Sequence, residues 1–502
     1  MKVFLMFESD DFAVRKKFPP NGAALKQDLE LNTLCNTMAS GDEFVFKMAM
    51  DAILASLSND EKTILYRQDI LKDSLENFAV VRDIYKIAVE ALESRNRHWW
   101  FLSTSPTSVL YSSLSSMKEL MGFLKQLKMI ADENTTRFRS EGFTRFFAML
   151  KKELDDEYFA KVVHQLWELE FHNGVLISAE LGNGNKGSHY TLRKQVTEKL
   201  GWMQRLLNKK PQGYSFVISS RDESSIRALS ELKSEGINHV ANALAQSMEH
   251  ILSFFNMLRT EIAFYVGCLN LYNRLTQMGE PVSFPFPSNP DKRLHAFEGL
   301  YDVCLALTMQ QKIVGNNLAA DSKNLVIITG ANKGGKSTFL RSIGLSQLMM
   351  QCGMFVPADS FRANICEALF THFKREEDSA MNSGKLDEEL SRMSDIADTI
   401  TSNSMILFNE SFAATNEREG SEIGRQIVNA LLEKRIKVFF VTHLYDFAHS
   451  YYNKKMENAT FLLAERQTDG TRTFKLMEGE PLQTSFGKDL YNKIFVRPDA
   501  NT

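Results

Sequence analysis

Residues Leu325 to Thr338 read LVIITGANKGGKST and restrict the chain more than any other stretch. Leu325 to Thr329 are apolar and β-branched enough for a fully buried strand, and Gly330 ends it. From Gly330 to Ser337 the residues follow G-x-x-x-x-G-K-S, the spacing of a phosphate-cradling P-loop. Gly330, Gly334 and Gly335 permit backbone conformations closed to other residues. Successive N–H groups through Ala331, Asn332 and Lys333 can then turn inward on a triphosphate. Lys336 adds a cation for the outer phosphates, Ser337 offers a hydroxyl to Mg²⁺, and Thr338 continues into a helix whose positive dipole end faces the same anion. ATP and Mg²⁺ are the cofactors this pattern predicts.

A chain of 502 residues exceeds one ordinary core and predicts two to four domains. The net charge of −3 gives no overall basic field, so a nucleic-acid partner would have to be met by a local patch. Five cysteines without C-x-x-C spacing argue against zinc and against a disulfide framework. The short apolar run in MKVFLMFESDD is too brief for a signal-peptide core, and no 18-residue apolar stretch follows. The expectation is a soluble cytoplasmic protein with no membrane partner.

Residues 1–280 read as a mainly α-helical domain. Leu29, Leu31, Leu34 and Met38, then Phe44, Met48 and Ile53, then Phe143 through Leu169 recur at helical spacing. Met6-Phe7-Glu8 reads as part of a first strand. Residues 172–221 change character, with short β-type runs at Val175–Ile177, Tyr190–Leu192 and Phe216–Ile218, and form a small β-rich insert. The formal G-x-G-x-x-G at Gly182–Gly187 precedes a strand-like run, so it predicts a hairpin turn and not a dinucleotide site. The insert carries eight basic residues against two acidic ones, either a solvated face or a phosphate-binding patch.

A long helix from about Asp222 to Leu275 follows, with Ile237, Val240, Leu244, Met248, Ile251, Phe255, Leu258, Ile262, Tyr265 and Leu269 spaced like a coiled-coil seam. It would act as a lever, or simply bury a packing stripe; Gly236 and Gly267 are candidate interruptions. Pro281, Pro285, Pro287 and Pro290 then mark a domain boundary. Residues 281–502 alternate strand and helix: Leu325–Thr329, a helix from Ser337, Met405–Phe408, a helix from about Ser421, Val438–Val441 and a hairpin turning at Asp469-Gly470. The fold class is an α/β P-loop NTPase domain preceded by a helical core and lever.

A P-loop needs a neighbouring strand that ends in acids. Glu410 is placed to polarise an attacking water, whereas Asn409 stands where an Asp would usually hold Mg²⁺. A neutral amide contributes no charge, so weaker Mg²⁺ binding and slow turnover are expected. His443, just after the strand at Val441, is a candidate γ-phosphate sensor.

Residues 281–502 resemble the ATPase domain of the MutS family, the DNA mismatch-repair ATPases of the ABC class. The matching residues are TGANKGGKST (Thr329–Thr338), QCGMFVPA (Gln351–Ala358), SGK (Ser383–Lys385) with Glu389 downstream, ILFNES and ATNEREG (Ile406–Gly420), VTH (Val441–His443) and TSFG (Thr484–Gly487). The helical region is similar to that family's core and lever, and the insert sits where the family places a DNA clamp. The resemblance implies a homodimer with composite ATP sites, in which Ser383 completes the partner's site, and clamps that move with the ATP cycle. Lys186, Arg193, Lys194, Lys209 and Lys210 are then candidate contacts to DNA, gripped by backbone and shape without base-specific reading. A repair partner protein is a further expectation. Two departures accompany Asn409: there is no room for the family's mismatch-reading domain, so the resemblance is to a short form, and the chain stops soon after Phe495, where long members add a dimerisation segment. The alternatives are a nucleotide-driven switch acting on a protein without DNA, and a small-molecule kinase, for which no acceptor pocket or Arg-rich lid is evident.

Overall fold

The computed structural model describes residues 1–12, 16–98, 105–172, 174–194, 213–375 and 384–483. Chain contacts divide it into two compact units, one made of residues 1–3, 83–136 and 145–259, the other of 4–82, 137–144 and 260–502. Residues 4–82 thus belong to the same compact unit as the strand-and-helix region.

The first unit is built on helices. Pro106–Asn134 and Asp156–Leu169 each begin at a side-chain cap, Ser105 accepting from the Ser108 amide and Asp155 from that of Tyr158. The insert contributes an antiparallel hairpin, β1 (Leu176–Leu181) and β2 (Gly187–Arg193), with Gly182–Lys186 as its turn. Phe216–Ile218 does not form the expected third strand. It pairs with neither β1 nor β2, and Phe216 and Val217 stand 80% and 97% exposed, so β-propensity went unused for want of a partner ladder.

The long helix is continuous over Glu223–Gln277, and neither glycine interrupts it. Both serve close packing instead. A Cβ on Gly236 would lie 2.5 Å from Ile177 Cδ1, and one on Gly267 would lie 3.2 Å from Val45 Cγ1. Its apolar stripe is a packing seam, with Phe255 edge-on to Phe123 in the first unit and Ile262, Tyr265 and Leu269 buried in the second.

The second unit holds two sheets. β3 (Phe286–Ser288), β7 (Ser360–Asn364), β4 (His295–Leu300) and β5 (Asn316–Ala319) lie in that order in one. The other runs β12-β11-β6-β10-β9-β8, from β6 (Leu325–Gly330), β8 (Leu369–Phe373), β9 (Met405–Asn409), β10 (Lys437–Val441), β11 (Ala459–Arg466) and β12 (Arg472–Glu478). All its pairings are parallel except β11 with β12. Strands buried on both faces explain the unbroken apolar runs of β6 and β10. The helix expected from Ser421 starts at Glu417, because Asn416 caps it by accepting from the Glu419 amide.

Residues 5–10 form bends, not the expected first strand. Their main chain is bound by side chains instead of a ladder. Buried Glu261 accepts from the amides of Leu5 at 2.5 Å, Met6 at 3.0 Å and Phe12 at 3.3 Å, while Arg67 Nε donates to the Met6 carbonyl at 2.7 Å. Among the described residues no helix is long and apolar enough to cross a membrane.

Candidate functional site

The loop after β6 needs its glycines. Gly330 has φ +103° and Gly335 φ +87°, and a Cβ on Gly334 would stand 2.7 Å from the Ala464 Cβ. Ala331 is buried in the turn, Lys333 takes φ 58°, and the helix Lys336–Cys352 starts directly from Gly335. Lys336 curls back over the loop, its Nζ donating to the carbonyls of Gly330 and Ala331 at 3.0 Å each. Burial pulls its ammonium down to about 8, against the attraction of Glu410 and with help from Arg472.

The neighbouring parallel strands bring the other expected residues to the same edge. Ser337 Oγ donates to Asn409 Oδ1 at 2.9 Å. Glu410, with φ 55°, donates its amide to the Val441 carbonyl, and its Oε1 lies 2.9 Å from His443 Nε2. That hydrogen bond is the first cause holding the Glu410 carboxyl below its usual range, with the charges of His443, Lys336 and Lys374 adding to it. Glu410 is therefore an ionised carboxylate. Lys336, Ser337, Asn409, Glu410 and His443 are brought together; Ser383 and the Thr484–Gly487 motif lie outside the described residues.

A cavity of about 380 Å³ adjoins the loop, lined among others by Tyr301, Ile313, Val314, Lys333, Thr338 and Phe474. Arg472 Nε donates to the Asn332 carbonyl at 3.2 Å from the same strand as Phe474. Sequence reading missed Tyr301, Arg472 and Phe474. For Arg472 and Phe474 the available signal was the hairpin at Asp469-Gly470, since residues two apart on its second strand share a face.

The oxygen donors of Ser337 and Asn409 suit a hard cation such as Mg²⁺, and the glycine-lined loop, whose turn a Cβ would fill, suits phosphate. Of the proposed DNA contacts, Lys186 is exposed in the hairpin turn and Arg193 donates to Ser178 Oγ at 2.8 Å. Lys194 is paired with Glu168 at 2.7 Å, and Lys209 and Lys210 lie outside the described residues.

Fold and site define a class: a mixed helical and α/β protein whose parallel sheet carries a glycine-rich loop and an acid–histidine pair beyond its strand ends. Residues 59–278 match the MutS2 N-terminal domain, and residues 326–497 match MutS domain V. The chain is thus similar to MutS-family domains over both stretches. It is 29% identical over 202 residues to the DNA mismatch repair protein MutS of Leuconostoc citreum, covering 39% of this chain and 23% of that protein. Over 246 residues it is 26% identical to MutS protein homolog 4 of Homo sapiens, covering 48% and 26% respectively. A 343-residue match at 24% identity to the MutS of Prochlorococcus marinus covers 66% and 36%. The chain thus spans 23% to 36% of the length of these relatives.

Proposed function

We propose that this chain is an ATP-dependent DNA-binding protein of the MutS type, an ABC-class P-loop ATPase that uses slow ATP hydrolysis to change a clamp-like grip on DNA in repair or recombination. The observation that carries the reading is the convergence of Lys336, Ser337, Asn409, Glu410 and His443 around one glycine loop.

On this reading the amides of Gly330–Thr338 and Lys336 hold the phosphates, and the cavity beside Phe474 takes the nucleoside. Mg²⁺ held by Ser337 and Asn409 would neutralise charge on the phosphate oxygens. Glu410 orients a water by accepting its hydrogen bond, and His443 fixes the carboxylate while facing the terminal phosphate. Ser383 reaches the nucleotide of a second copy in a homodimer. Lys186, Arg193, Lys194, Lys209 and Lys210 contact DNA phosphates.

Nucleotide binding and ATP turnover of the wild type and Lys336→Ala test the first half: the variant loses both. For the second half, binding to duplex, mismatched and branched DNA is measured with and without a non-cleavable ATP analogue. Reversing Lys209 and Lys210 to Glu weakens binding and flattens its salt dependence if they meet phosphates. Affinity that ignores both the analogue and the reversal would favour the switch acting on a protein.

A further inference from the structure

Directly after Glu410, Ser411 and Phe412 are held by a small buried network that the catalytic reading does not use. Glu389, on the helix Lys385–Thr399, accepts the Phe412 amide on its carboxylate Oε2 at 2.9 Å. Its main-chain carbonyl lies 2.9 Å from His372 Nε2. A carbonyl can only accept, so Nε2 carries the ring proton, and burial keeps this imidazole neutral. Ser411 Oγ lies 2.7 Å from His372 Nδ1 and 2.6 Å from the His372 carbonyl, so its single proton is shared between two acceptors on that one residue. Glu389, His372 and Ser411 are all essentially inaccessible.

The conformation they hold is a costly one. Glu410 has φ 55° and Phe412 φ 61°, left-handed backbone that neither side chain favours. From the other side Gly420 approaches so closely that a Cβ there would stand 2.3 Å from the Phe412 carbonyl oxygen. Strained backbone of this kind persists only where its surroundings over-determine it. It is from this left-handed turn that the Glu410 carboxylate meets His443.

We infer that Glu389 and His372 are positioning residues that hold Glu410 in its working conformation, so that the helix Lys385–Thr399 governs whether the carboxylate faces the glycine loop. The inference rests on Glu410 as the group that orients water. Among the described residues Glu389, His372 and Ser411 do not line the cavity, so the network acts on turnover and leaves nucleotide affinity alone.

The full chain and the variants Glu389→Ala, Glu389→Gln and Ser411→Ala are compared for kcat, KM and affinity for a non-hydrolysable ATP analogue, and the Glu389→Ala crystal structure is determined. Glu389→Ala lowers kcat by roughly tenfold or more, with analogue affinity within about twofold, because only the placement of the water-orienting group is lost. Glu389→Gln recovers turnover, since its amide oxygen still accepts from Phe412. Ser411→Ala moves kcat in the same direction by less and serves should Glu389→Ala fail to fold. In the Glu389→Ala crystal, Glu410 leaves positive φ and separates from His443. An unchanged kcat, a parallel fall in affinity and turnover, or a crystal keeping φ 55° and the 2.9 Å contact overturns the inference. A wild type that binds the analogue but does not hydrolyse ATP removes the hydrolytic reading of the site, while the crystal comparison still decides what Glu389 holds in place.

Discussion

Ser337 Oγ donates to Asn409 Oδ1 at 2.9 Å, joining the first turn after the glycine loop to the end of β9. An amide can accept this bond and could also accept from a metal-bound water, but it carries no charge.

Replacing Asn409 by Asp keeps the acceptor and supplies the charge. An added unit charge a few ångströms from a cation contributes on the order of 1 kcal/mol even in a water-like medium, so Mg²⁺ affinity should rise roughly fivefold or more. ATP turnover titrated with Mg²⁺ checks this. A variant with the wild-type Mg²⁺ dependence and rate refutes the proposed handicap.

The buried Lys336 gives nucleotide binding a pH dependence. Its ammonium titrates at about 8 in the free protein, and phosphates beside it would raise that value. The favourable term is therefore complete below about 8 and is lost as pH rises through it. Calorimetry at rising pH should show affinity falling above this point with proton uptake on binding, approaching about tenfold per pH unit at most. Lys336→Met should remove both effects.

Lys437 titrates at about 7, chiefly because it is desolvated, while its Nζ donates to Asn364 Oδ1 at 2.9 Å. The unfolded chain binds this proton up to the ordinary lysine range, so between about 7 and 10 the unfolded state holds more protons and stability rises with pH. Below about 7 the penalty is constant. Urea denaturation should show Lys437→Met lacking that rise, a difference on the order of 3 kcal/mol across the window.

Glu261→Ala removes the acceptor of three main-chain amides and leaves them buried. At about 1–3 kcal/mol for each donor without a partner, the loss should be roughly 3 kcal/mol or more. Wild-type Glu261 titrates at about 7, raised first by desolvation, so its contribution falls as pH climbs from the ordinary carboxylate range toward that value. Thermal melts across this range check both statements, and proteolysis near residues 5–12 should accelerate in the variant.

Much of the site was legible without coordinates, for a local reason. The glycine loop, its lysine and serine, and the acid and histidine at the ends of apolar runs announce themselves by spacing, because each sits at a fixed offset from its own strand. Phe474 and Tyr301 escaped notice because they reach the loop from β12 and from the turn after β4, far away in the chain. The same limit explains the misread strands. Phe216–Ile218 has strand composition but no ladder, and residues 5–10 had an unforeseen acceptor in Glu261, some 250 positions later.

By itself, then, the order of residues determined which groups this protein has to work with: a glycine-rich loop with its lysine and serine, one acid and a histidine at strand ends, and an amide in place of a second acid. Only the tertiary structure decided which of these groups meet, and in what conformation. Hydrogen bonds such as Glu389 to Phe412 join residues with no shared periodicity, and a left-handed Glu410 persists because packing from several elements outweighs its local preference.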